Sequence, residues 1–147
     1  MANRQGKEGK VEITMIIAAP PPRVWKALTD PKQLAQWYLV PWKLECRRGG
    51  RWDFGTGEKM LLLEGNVLEV KRGHRLVHTF RFTGRPFSRV TITLAPFGKH
   101  TWLTVVHDRF GKDRETRTDV TGGWTDLISN LKTFLETGKG FHGAWGA

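Results

Sequence analysis

The chain opens with Val11-Glu12-Ile13-Thr14, which alternates apolar and polar and, continued by Met15-Ile16-Ile17, reads as a strand. Pro20, Pro21 and Pro22 stop it, because proline cannot donate to a strand ladder. Proline suits the first helical turn, so a short helix is expected from near Pro21, with Val24, Trp25 and Leu28 on one side. A second helix follows at once: Asp30 is an N-cap, Pro31 takes the first helical position, and Gln33 completes a capping box. Leu34 and Trp37, three apart, share its face. Gly49-Gly50 then leads into a strand, Arg51-Trp52-Asp53-Phe54, and Gly55 and Gly57 turn the chain into Met60–Val70. That run is long enough for a bent strand, and Gly65 marks the bend. Leu76, His78, Phe80 and Phe82 alternate with Val77, Thr79 and Arg81. Val90, Ile92 and Leu94 oppose Arg89, Thr91 and Thr93, and Leu103, Val105 and His107 oppose Trp102, Thr104 and Val106.

The pattern then changes period. Val120, Trp124, Leu127, Ile128, Leu131, Phe134 and Leu135 form one stripe of a 3.6-residue helix, and Gly138 ends it. Strands that lack crossover helices form an antiparallel sheet. The expected fold is therefore α+β: a curved antiparallel sheet wrapped around a long C-terminal helix, with two short helices after the first strand. Residues 1–9 are expected to be a flexible tail, 10–138 the domain, and 139–147 an irregular glycine-rich tail. A sheet gripping one helix need not close completely, so the expected gap is an apolar cavity.

Composition sharpens that picture. The 147 residues hold seven Trp and eight Phe against a single Tyr, rings that suit a core or a cavity wall. The lone Cys46 excludes an intramolecular disulfide and fits a reducing compartment. No apolar run follows the basic start, so neither a signal peptide nor a membrane span is expected, and the expected location is the cytoplasm. The net charge of +10 is uneven: Lys71, Arg72, Arg75, Arg81, Arg85, Arg89 and Lys99 lie in a stretch, Val70 to His107, that holds no acid. Arg81 and Arg89, on the outer sheet face, are candidates for docking a protein with an acidic surface. A solvated sheet face is the plainer reading of the same charges.

The search for chemistry is mostly one of exclusion. His74, His78, His100, His107 and His142 form no HExxH or helical pair, and one cysteine cannot build a thiolate site, so no metal or other cofactor is expected. No G-x-S-x-G is present, and no catalytic residue stands out. His78 and His107 are distinctive because they fall on apolar strand faces. They are either satisfied core histidines or polar anchors in a cavity. Alternation and helix periodicity give the expected ligand lining as Trp52, Phe54, His78, Phe80, His107, Trp124 and Ile128.

Ala19-Pro20, Val24-Trp25-Lys26-Ala27-Leu28-Thr29-Asp30-Pro31, Leu34 and Trp37 together resemble the opening of the Hsp90 ATPase activator homologue-like family. Gly49-Gly50-Arg51-Trp52-Asp53-Phe54, Gly65-Asn66-Val67-Leu68-Glu69-Val70 and Arg75-Leu76-Val77-His78-Thr79-Phe80 resemble its strands in order, and Gly123-Trp124 through Gly138 its final helix. The resemblance spans Val11 to Gly138 and implies the helix-grip fold of the START-like superfamily. It implies no fixed catalytic set. One departure is that His107 is followed by Asp108-Arg109-Phe110, where the family has small residues and then glycine.

The leading expectation is a non-enzymatic module that binds a small apolar ligand, docks on a protein partner, or does both. A chaperone or stress-response role is implied only by the family's name. The alternative is a cyclase- or hydratase-type enzyme in which His78 or His107 serves as acid or base. It requires an imidazole that faces the cavity. Nucleic-acid binding is a weaker third reading, since the aromatics fall on core faces and not beside the basic residues.

Overall fold

A computed structural model describes residues 9–56 and 60–143. Most of the expected N-terminal tail, Gly57 of the expected turn and the end of the C-terminal tail lie outside the described residues. The chain runs β1 (Val11–Ile17), α1 (Pro21–Thr29), α2 (Pro31–Trp37), β2 (Val40–Leu44), β3 (Trp52–Gly55), β4 (Leu61–Glu64), β5 (Val67–Lys71), β6 (Arg75–Phe82), β7 (Ser88–Phe97), β8 (His100–Asp108) and α3 (Arg114–Thr137). All pairings are antiparallel, in the order β1-β8-β7-β6-β4-β3-β2, with β5 continuing β4 along β6. This is the expected helix-grip α+β fold.

Local chemistry explains the element ends. Asp30 accepts from Gln33 N–H at 3.1 Å and starts α2, with Pro31 at the first helical position. Trp37 Nε1 donates to Ala27 O at 2.8 Å and ties the two short helices together. The expected bend at Gly65 separates β4 from β5. A side chain there would run into the carbonyl oxygen of Thr79 on β6, so the close approach requires glycine. Gly138 ends α3 at φ 91°, and its N–H reaches Phe134 O.

Two elements differ from expectation. Strand β2 has no counterpart among the expected elements; it pairs with β3 at the sheet's end, a position that tolerates Pro41. Helix α3 also begins before its apolar stripe, at Arg114, where Asp113 accepts from Thr116 N–H at 3.0 Å. Asp113→Ala should cost about 1 kcal/mol of stability, read as a lower urea midpoint at unchanged slope.

The core lies between the concave sheet face and α3. Val120, Trp124, Ile128, Leu131 and Leu135 of the helix are buried against Ile17, Phe54, Leu76, Phe80, Val90, Leu103 and Val105, among others. Lys132 Nζ donates to Ile16 O at 2.8 Å and Glu136 accepts from Ala18 N–H at 2.7 Å, which fastens the end of α3 to the edge strand β1. No described helix is long and apolar enough to cross a membrane.

Candidate functional site, an apolar cleft beside the long helix

The first half of α3 does not seal against the sheet. A cleft of 410 Å³ remains there, bordered by Tyr38 and Leu39 at the α2–β2 junction, Leu62 and Leu63 on β4, Phe80 and Phe82 on β6, and Asp119, Val120, Gly122, Gly123, Trp124 and Leu127 on α3. Its size falls within the range of small-molecule sites. Four of its walls are aromatic rings and five are aliphatic side chains, so its guest gains chiefly from apolar burial at about 25 cal/mol per Å².

The helix is built to leave this space open. Gly122 and Gly123 sit inside α3, where each glycine costs about 1 kcal/mol relative to alanine. Packing does not demand them, because an added Cβ at either position meets nothing within 4 Å. Both border the cleft, Gly122 exposed and Gly123 half-buried.

Of the seven expected lining residues, Phe80 and Trp124 reach the cleft. Trp52, Phe54, His78, His107 and Ile128 lie on the expected inward faces and are buried in packing behind its wall. Alternation gives the face of a residue and not its depth. His78 stacks on Trp52 with centroids 4.7 Å apart, and its Nδ1–H donates to Thr79 O at 2.8 Å. Burial pushes its pKa down to about 4.

His107 supports the cleft wall from behind. Trp124 Nε1 can only donate, so at 3.0 Å it makes His107 Nδ1 the acceptor. The proton of the neutral ring is then on Nε2, which donates to Ser88 Oγ at 2.7 Å, and Ser88 O–H donates to Phe80 O at 3.1 Å. The chain Trp124–His107–Ser88–Phe80 thus ties the two expected residues that do border the cleft. Burial first, and the neighbouring His78 second, push the His107 pKa down to about 3, so the ring stays neutral. Neither imidazole borders the cleft, whereas the acid–base alternative requires one that does.

The rim is strapped by Arg85, from the β6–β7 loop. Its guanidinium reaches Asp119 at 3.0 Å, Thr116 Oγ1 at 3.2 Å and Glu115 at 3.4 Å, and lies over the Phe82 ring at 5.1 Å. These pairs hold Arg85 above the ordinary guanidinium pKa, with the Asp119 hydrogen bond foremost.

The two candidate docking arginines are placed differently from each other. Arg81 is paired with Glu64 at 3.1 Å and covers the Phe87 ring at 4.4 Å. Arg89 stands opposite Asp108 in the β7–β8 register, with its Nε buried and unpartnered. Arg75 and Lys71 pair with Glu69, so acids outside the basic stretch offset much of its charge. Among the described residues no cluster of His, Cys, Asp and Glu could hold a metal ion.

Sequence reasoning missed Tyr38, Leu39, Leu62, Leu63, Phe82, Leu127 and the glycine pair as walls of the cleft. Two signals were available: the single tyrosine in a chain rich in Trp and Phe, and two adjacent glycines inside a strong helical stripe.

Residues 18–136 match the family described as activator of Hsp90 ATPase homolog 1-like protein. No curated protein matches the chain. Among solved structures, DynU16, a protein in the dynemicin biosynthetic locus, is 28% identical with a TM-score of 0.80. That alignment covers 90% of this chain but 49% of DynU16, so this chain spans less than half of its length. CalU16 from Micromonospora echinospora is 25% identical over 88% of this chain and 77% of its own, with a TM-score of 0.74. The Aha1 dimer from Colwellia psychrerythraea, 17% identical over 89% of this chain and 98% of its own, shares the fold with a TM-score of 0.73.

Proposed function

The chain belongs to the activator of Hsp90 ATPase homolog 1-like family, and from that premise we propose that it is a non-enzymatic binding module holding a small apolar molecule beside α3. One observation carries the reading: α3 keeps Gly122 and Gly123 at helix-interior positions on the border of the cleft, with open space where a side chain would stand. A helix that only had to pack would gain stability from larger residues there. The placement of DynU16 in a biosynthetic locus accords with a small-molecule ligand. The paired state of Arg81 makes docking on an acidic protein the secondary role, left to Arg89 and the unpaired remainder of the basic stretch.

The test is Gly123→Leu, combined with titration of intrinsic tryptophan fluorescence by fluorene, a fatty acid and ATP. The expected result is a response to fluorene or the fatty acid and none to ATP. Gly123→Leu should weaken that binding by about tenfold or more. Its stability should stay level or rise by up to about 1 kcal/mol, since leucine is the better helix former. Opposite signs for binding and stability separate a filled cleft from a damaged fold. A response to ATP alone, or unchanged affinity in Gly123→Leu, would overturn the reading.

A further inference from the structure

Apolar walls set the shape of a guest, and the few polar atoms among them set its chemistry. Three polar side chains border the cleft: Tyr38, Asp119 and Trp124. Two are already committed. Trp124 N–H is spent on His107, and the Asp119 carboxylate holds Arg85.

Tyr38 is different. Its ring is held in place, edge-on to Phe54 at 5.1 Å and stacked near-parallel to Trp124 at 6.4 Å. Its hydroxyl has no hydrogen-bond partner among the described residues. The residue is 4% exposed, yet the sealed and unpartnered polar atoms are Trp52 Nε1, Arg89 Nε and Asp108 Oδ1, and the Tyr38 oxygen is not one of them. It therefore keeps an open side, and the cleft is the space that Tyr38 borders. A buried phenol normally finds a partner for its O–H.

We infer that Tyr38 determines the specificity of the cleft, its hydroxyl donating a hydrogen bond to the carbonyl oxygen of an uncharged, flat ring system that lies against the aromatic walls. The inference rests on the ligand-binding reading and adds the chemical class of the guest. Burial raises the phenol pKa, which keeps the donor proton in place. An anionic guest is disfavoured, because the Arg85 guanidinium at the rim already faces Asp119 and Glu115.

Fluorene and fluorenone provide the test, since they share a ring skeleton and differ by one carbonyl. Both are titrated into the wild-type chain and into Tyr38→Phe, and the carbonyl stretch of bound fluorenone is recorded by infrared difference spectroscopy. The wild type should bind fluorenone more tightly than fluorene. Tyr38→Phe should weaken fluorenone by about 2- to 12-fold, the range of one hydrogen bond, and leave fluorene unchanged. The bound carbonyl stretch should lie at lower frequency in the wild type than in Tyr38→Phe. Equal effects on the two ligands, or the same stretch in both proteins, would overturn the role of Tyr38 while leaving the cleft a ligand site. Failure of both compounds to bind the wild type would overturn the ligand reading and this inference with it. If Tyr38→Phe fails to fold, the wild-type spectrum decides: a carbonyl stretch no lower than that of fluorenone in alkane rejects the hydrogen bond.

Discussion

Trp124→Ala should destabilise the fold by about 3–5 kcal/mol, the range for deleting a large buried aromatic side chain. Trp124 is 4% exposed, so almost all of its ring is withdrawn from bulk water. It also borders the cleft, so part of the space left by truncation merges with a void that already exists, and packing alone favours the lower half of that range. The hydrogen bond acts in the other direction. Without the indole N–H, His107 Nδ1 becomes a buried acceptor with no partner, which adds about 1–3 kcal/mol. Trp124→Phe keeps one aromatic ring against the sheet while removing the donor and the five-membered part of the indole. Its expected cost lies below that of Trp124→Ala and includes the unpaired acceptor. Urea unfolding measures both variants, with an unchanged slope as the sign that the denatured state has not altered. A loss below about 1 kcal/mol for Trp124→Ala would mean that α3 is not anchored to the sheet through this residue.

The face assignments behind this prediction were legible in the sequence, and the depth assignments were not. The stripe from Val120 to Leu135 identifies the buried side of α3 because a helix must bury one face. Strand alternation likewise places Trp52, Phe54, His78 and His107 inward. What alternation lacks is the local separation between sheet and helix. That separation depends on helix residues that are small, on the β3–β4 register shift at Phe54/Gly55, and on where α2 gives way to β2. Leu62 and Leu63 are adjacent in a strand and yet both border the cleft, which no strict period-2 reading allows. Tyr38 and Leu39 lie between a helix and an edge strand, where neither period applies. The charge pattern had the same limit. Seven basic residues in an acid-free stretch look unpaired in sequence, but antiparallel pairing sets Glu64 opposite Arg81, and Glu69 lies within reach of Arg75 and Lys71.

Acid should unfold the protein earlier than its carboxylates alone would, with about 4 kcal/mol of stability lost between pH 7 and pH 5 through His78 and His107. Both rings are buried and neutral, with pKa values lowered from 6.5 to about 4 and about 3. A depressed histidine pKa means that the unfolded chain takes up protons that the folded chain refuses. Stability from this source is therefore complete above pH 6.5. It declines as pH falls through 6.5, where the unfolded imidazoles begin to charge, and the loss is complete only below the folded values. At pH 5 each ring is 1.5 units below its unfolded pKa and still neutral when folded, which corresponds to about 2 kcal/mol per ring. The bonds around His107 reinforce the effect: a second ring proton would meet the Trp124 N–H, a donor facing a donor. His78→Phe isolates one contribution. It preserves an aromatic partner for Trp52, gives up one hydrogen bond to Thr79 O, and removes one titrating group. Urea midpoints measured from pH 7.5 to pH 4.5 should fall steeply for the wild type and about half as far for His78→Phe. A flat wild-type profile over that window, or a variant whose profile matches the wild type, would show that these imidazoles are not held neutral in the folded core.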